Sequence, residues 1–131
     1  MSANLDLVRS IYAAWERGDF SSTGWADAQI EYVVADGPSP EGRVGLAGMA
    51  EGSRDWFQAW EEMRFAADEY LELDDERVLV LDQYSGRGKT SGLDIGQTQS
   101  TVAHVFHVRN GKVARLVGYF DRGRALADLG L

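Results

Sequence analysis

The dipeptide Asn110-Gly111 constrains this chain more than any other feature. It sits between two runs of alternating apolar residues, one ending at Arg109 and one starting at Lys112. A two-residue type I′ turn needs positive φ at both central positions, and Asn-Gly supplies that at least cost. The hairpin then pairs Arg109 with Lys112, Val108 with Val113, and so on outward. Directly opposed residues share a sheet face. One predicted face carries Val102, His104, Phe106, Val108, Val113, Arg115, Val117, Tyr119 and Asp121. The other carries Ala103, Val105, His107, Ala114, Leu116, Gly118 and Phe120. His104 and His107 therefore fall on opposite faces and cannot act on one substrate. On the first face His104 lies diagonal to Tyr119, at about 7–8 Å. Asp121 follows Tyr119 by about 7 Å along the strand.

The rest of the chain divides into a helical first half and a strand-rich second half. Leu5, Val8, Tyr12 and Trp15 mark one face of a helix over 4–17, with Asn4 as N-cap and Gly18 as the stop. A shorter helical piece is predicted over 21–28, and Ile30, Tyr32 and Val34 alternate as a strand. Both prolines lie in the loop 36–42. A second helix is predicted over 46–63, with Leu46, Met49, Ser53, Trp56, Phe57 and Trp60 inward. Strands follow over 65–73, 77–86, 93–109 and 112–120, then a short helix over 122–129. Such segregation predicts an α+β fold rather than alternating βαβ units.

A chain of 131 residues predicts one domain, spanning 1–131. Thirteen Lys and Arg against twenty-one Asp and Glu give a net charge of −8, which disfavours nucleic acid and anionic membrane as partners. There is no cysteine, which excludes disulfides, thiolate metal sites and cysteine nucleophiles. Neither metal nor cofactor is expected. Met1–Asp6 lacks a basic segment followed by an apolar run, and no stretch nears membrane-spanning length, so a cytoplasmic protein is expected. The eight carboxylates between Glu61 and Glu76 read as a solvated turn and outer sheet face, since no calcium-loop spacing accompanies them.

Chemistry is expected on the first hairpin face. A carboxylate at the mouth of an aromatic cavity is desolvated, which makes it a better base for a proton next to a carbonyl. Asp121 is the candidate acid/base, with Tyr119 or His104 polarising the carbonyl. Asp121 also directly precedes the last helix, where Asp is a favoured N-cap, and His104 also fits a hydrogen-bonded core histidine. Tyr12, Trp15, Tyr32, Trp56, Trp60, Tyr84 and Phe106 are the candidate lining of a small-molecule pocket.

These segments occur in a recognisable order. Ala14-Trp15-Glu16-Arg17-Gly18-Asp19 is followed by Pro40-Glu41-Gly42, Gly45 and a Trp-rich helix. Next come Asp75 to Leu81, Gly86-Arg87-Gly88, Ser91-Gly92 and Arg109 to Val113. Tyr119-Phe120-Asp121-Arg122 and Ala125-Leu126 close the series. The order resembles SnoaL-like proteins of the nuclear transport factor 2-like superfamily. That resemblance implies a cone-shaped fold, with helices packed into a strongly curved mixed or antiparallel sheet. It also implies a homodimer through the outer sheet face and a pocket for a small hydrophobic molecule. Polyketide cyclases, ketosteroid isomerases, epoxide hydrolases, dehydratases and non-catalytic binders share the fold. In the cyclases a late aspartate is the acid/base, and Asp121 matches its position. The Arg-x-Asp pair of the epoxide hydrolases is missing from Leu81-Asp82-Gln83-Tyr84-Ser85. The isomerases pair a first-helix tyrosine with two carboxylates, and Tyr12 stands in such a helix. The resemblance thus implies a cyclase/isomerase-type enzyme, the alternative being a non-catalytic ligand-binding or dimerisation domain.

Overall fold

Asn110 and Gly111 both take positive φ, 54° and 75°, and join strand β5 (Gln97–Arg109) to β6 (Lys112–Tyr119) as the expected hairpin. A computed structural model describes residues 3–19, 24–36, 42–57, 60–88 and 97–131; within these, residues 52–57, 60–63, 86–88 and 97–100 are described by their backbone alone. The remaining elements are α1 (Ala3–Glu16), β1 (Ala26–Val34), β2 (Arg43–Val44), α2 (Gly45–Phe57), β3 (Trp60–Glu72), β4 (Arg77–Gly88) and α3 (Arg122–Asp128). Helix α1 buries Val8, Ile11 and Tyr12 and stops at Gly18, whose φ of 77° and N–H bond to the Trp15 carbonyl close the last turn.

Two expected helical stretches are strands instead. Ala26 already pairs with Val113, so Ala26–Ala28 belong to β1, while residues 20–23 lie outside the described ones. The second helix ends at Phe57 rather than near Met63. From Trp60 onward the chain is a thirteen-residue strand on β4, where ladder pairing with a long neighbour outweighs the helical spacing of its apolar residues.

The six strands form one sheet in the order β2-β1-β6-β5-β4-β3. Among the described residues only β1 and β6 run parallel, so the sheet is mixed. The fold is α+β, but the strongly curved cone is corrected: the sheet is open. Its two ends are β2 and β3, which do not pair with each other; β2 has only two residues and bonds only β1.

The sheet has two covered faces. On the inner one, Tyr12, Ile30, Met49, Val78, Val80, Phe106 and Leu116 pack beneath α1 and α2. On the outer one, Leu79, Ala103, Val105, Val117 and Tyr119 pack beneath α3 through Ala125, Leu126 and Leu129. No helix among the described residues is long and apolar enough to cross a membrane.

The hairpin register departs from a plain ladder after one step. Val108 pairs with Val113, but His107 pairs with Arg115, leaving Ala114 as an extra residue on β6. A bulge of one residue inverts the side-chain parity of everything beyond it. His104 therefore faces Gly118, and Tyr119 faces Ala103. The expected sharing of a face by His104 and Tyr119 is corrected accordingly. His104 and His107 do lie on opposite faces, as parity along one strand requires.

Candidate functional site

Among the described residues one carboxylate is buried in the apolar interior. Asp82 follows Val78 and Val80 on the inner-facing parity of β4, and its exposure is 0%. A buried ionised carboxylate is costly unless hydrogen-bonded. Two donors meet that need. The Tyr12 hydroxyl donates to Asp82 Oδ2 at 3.0 Å, and His104 Nδ1 lies 2.8 Å from the same oxygen and 3.1 Å from Oδ1. Both converge on Oδ2, which places the Tyr12 oxygen 3.4 Å from Nδ1.

Local structure sets this geometry. Asp82 pairs with Val102 across β4 and β5, so His104, two residues on, is its diagonal neighbour on the same face. Tyr12 comes from α1, one turn after Val8 on the helix's buried face. Burial first, and the Asp82 carboxylate second, hold the Tyr12 phenol well above the usual tyrosine range, so it stays a donor.

Aromatic rings surround the cluster. Trp15, Phe65 and Phe106 have centroids 6.2, 5.7 and 6.3 Å from the imidazole of His104. Tyr12 touches Trp15 edge-on at 5.0 Å, and Tyr84 lies tilted against Phe65 at 6.0 Å. The His104 side chain is 12% exposed, against 0% for Asp82. The imidazole is thus the outward end of a buried chain of hydrogen bonds. In a neutral ring whose Nδ1–H donates to the carboxylate, Nε2 is the acceptor. Gly118 lies beside it: a Cβ there would stand 3.4 Å from Nε2 and Cδ2. An open groove of about 310 Å³ runs along α1 between Leu7 and Trp15, closed on its far side by Trp25 and Gly111. Trp15 stands both in its wall and in the ring set around His104.

The structure therefore brings together Tyr12, Trp15, His104 and Phe106, with Tyr84 joined through Phe65. Tyr32 packs against the same inner core from β1, and burial raises its phenol. The side chains of Trp56 and Trp60 lie outside the described residues. Tyr119 is on the other sheet face, donating to Asp128 Oδ2 at 3.2 Å; burial first, then Asp128, raises its phenol. Asp121 is exposed and is the N-cap of α3, its Oδ1 accepting from the Gly123 N–H at 2.8 Å. Its own N–H and that of Phe120 donate to the carboxylate of Asp36. Neither Tyr119 nor Asp121 reaches the cluster around Asp82.

Asp82 and Phe65 were not candidates from the sequence. A signal for Asp82 was present: Val78, Val80, Asp82 and Tyr84 share one parity of an apolar strand, so the lone carboxylate had to face inward with them. Phe65 had no such signal, because its position follows from where β3 begins.

The model of the SnoaL-like domain family matches residues 8–116. A search of curated proteins gave no match. Among solved structures, a nuclear transport factor 2-like protein of unknown function from Burkholderia pseudomallei is 24% identical, with a TM-score of 0.77 over 100% of both chains. TerC, crystallised with polyporic acid, is 23% identical, with a TM-score of 0.74 over 98% of each chain. A protein of ketosteroid isomerase-like fold from Catenulispora acidiphila, in complex with trimethylamine, is 15% identical, with a TM-score of 0.69 over 96% of this chain and 93% of that one. At these identities the structures speak for the fold alone, and they agree with the family match across nearly the whole chain. This chain belongs to the SnoaL-like domain family.

Proposed function

We propose that the protein is a small-molecule enzyme in which His104 is the general base, acting on a hydrophobic, carbonyl-bearing ligand. The observation that carries this reading is the convergence of Tyr12 and His104 on one fully buried carboxylate. Asp82 fixes the imidazole with Nδ1 protonated, so Nε2 presents its lone pair. A proton taken from the carbon next to a carbonyl would move to Nε2, leaving an enolate. The imidazolium so formed is stabilised by Asp82, as in other carboxylate–histidine pairs. Tyr12 keeps its proton throughout and holds the carboxylate in place. The rings of Trp15, Phe65 and Phe106 exclude water and give an apolar ligand its contact surface. This reading moves the acid/base role from Asp121, which is engaged in capping α3, to His104.

Similar structures crystallised with polyporic acid and with trimethylamine support a ligand-holding role for the fold. The second reading, a binding module without turnover, is favoured by the same aromatic ring set, which can hold a planar ligand beside His104. Deuterium exchange separates the two. Aromatic ketones with an acidic α-carbon are incubated with the protein in D₂O and read by mass spectrometry. Catalysed exchange that His104→Gln and Asp82→Asn both abolish supports the enzyme. Ligand binding without exchange at any α-carbon gives the binding module.

A further inference from the structure

Arg122, the first residue of α3, reaches the backbone of the site from the opposite sheet face. Its Nε–H donates to the Val102 carbonyl at 2.9 Å, and its Nη2 donates to the Asp82 carbonyl at 2.6 Å. The same Nη2 donates its other proton to Asp68 Oδ2 at 2.5 Å. Asp82 and Val102 are cross-strand partners, so one edge of the guanidinium spans the β4–β5 pair. Asp68 is the extra residue of a β3 bulge, since Ala67 pairs with Asp82 and Glu69 with Leu81. Bulges commonly re-aim a side chain, and here the re-aimed carboxylate meets Arg122 and also accepts from Gln83 Nε2 at 3.1 Å.

We propose that Arg122 is a positioning residue for the Asp82–His104 pair, a role that rests on the general-base reading above. The clamp grips the main chain of the residue that carries the carboxylate. It also grips the residue two positions before His104. Both ends of the diagonal pair therefore hang from one planar group. Only arginine places two coplanar N–H vectors on two carbonyls while donating a third to a carboxylate; lysine offers one nitrogen. Asp121 acts upstream of this clamp, because its capping bond fixes the first turn from which Arg122 projects.

The test uses ¹⁵N-histidine NMR on the full chain. The molecule has only two histidines, and His107 on the opposite face is an internal control. Arg122→Met and Arg122→Lys are compared with wild type at a pH where both rings are neutral. The expected result is loss of the single-tautomer pattern of His104 in both variants, with His107 unchanged. Should Arg122→Met fail to fold, Arg122→Lys carries the comparison. A variant that melts earlier but keeps the wild-type His104 pattern overturns the proposal and leaves Arg122 as an anchor for α3. The wild-type pattern alone judges the general-base reading; the difference between variant and wild type judges Arg122, whichever tautomer wild type shows.

Discussion

Asp82 and His104 stand diagonally across neighbouring antiparallel strands, with Nδ1 of the imidazole 2.8 Å from Oδ2 of the carboxylate. Neither residue is close to the other in sequence. The ladder between β4 and β5 joins them, and Tyr12 from α1 closes the third side.

Tyr12→Phe keeps the ring and its edge contacts with Trp15, Tyr70 and Phe106 but deletes one of the two donors to Asp82. Loss of a hydrogen bond to a buried charged group costs about 1.5–3 kcal/mol. Urea titration of the variant against wild type measures it. A loss near zero would mean that the phenol contributes nothing to holding the carboxylate.

The same phenol makes stability alkali-sensitive. Its folded-state pKa is raised well above the unfolded value of 10.0, so the unfolded chain loses this proton first. As pH rises past about 10, the unfolded state binds fewer protons than the folded one, and stability falls. The alkaline slope of unfolding free energy against pH is expected to be shallower in Tyr12→Phe than in wild type. Equal slopes would contradict the assignment.

Asp121 separates two accounts of where the acid/base chemistry resides. Asn caps a helix about as well as Asp, so Asp121→Asn is expected to leave stability within about 0.5 kcal/mol. Asp121→Ala is expected to lose about 0.5–2 kcal/mol. Asp121→Asn, which keeps the cap, is not expected to remove ligand binding or α-proton exchange, because the side chain is spent on the Gly123 N–H. Abolished exchange in a fully folded Asp121→Asn protein would restore the role expected from the resemblance.

That contrast shows what the sequence made legible. The hairpin turn, the Gly18 helix stop, the inward face of α1 and the opposite faces of the two histidines all follow from local rules, and Tyr12 and His104 were both candidates. The parity of Tyr119 was not legible, because a bulge at Ala114 is set by how β6 packs between β1 and β5. The end of α2 at Phe57 is not legible for a similar reason. Trp56, Phe57, Trp60 and Met63 keep helical spacing, yet from Trp60 the chain pairs with β4. Long-range pairing, absent from any local window, decided both.

His107 predicts acid sensitivity from the other side of the sheet. Desolvation first, then Arg115 and Arg77, push its pKa below 6.5; Asp74 and Glu76 pull the other way without reversing the shift. The unfolded chain therefore takes up this proton first as pH falls. Stability declines as pH drops below about 6.5 and levels off below the depressed folded value. His107→Gln is expected to flatten that part of the curve. An unchanged acid limb in His107→Gln would sink this assignment.

Gly118 is the cross-strand neighbour of His104 and lies beside its Nε2. A Cβ here meets Nε2 and Cδ2 at 3.4 Å, an ordinary contact, so Gly118→Ala is expected to fold. Gly118→Leu adds bulk beside Nε2 and is expected to cost about 1–3 kcal/mol through overpacking. It should also reduce α-proton exchange far more than Gly118→Ala does. Equal exchange in the two variants would place the ligand elsewhere.

The most direct measurement of the central claim is the ¹⁵N spectrum of His104 in the wild-type protein, assigned with His104→Gln. At a pH where the ring is neutral, Asp82 as acceptor predicts the tautomer with Nδ1 protonated and Nε2 bare, and a mixture of tautomers in Asp82→Asn. A ring protonated at Nε2 in wild type, or a pattern indifferent to Asp82→Asn, would contradict the account of His104 as a base held by Asp82.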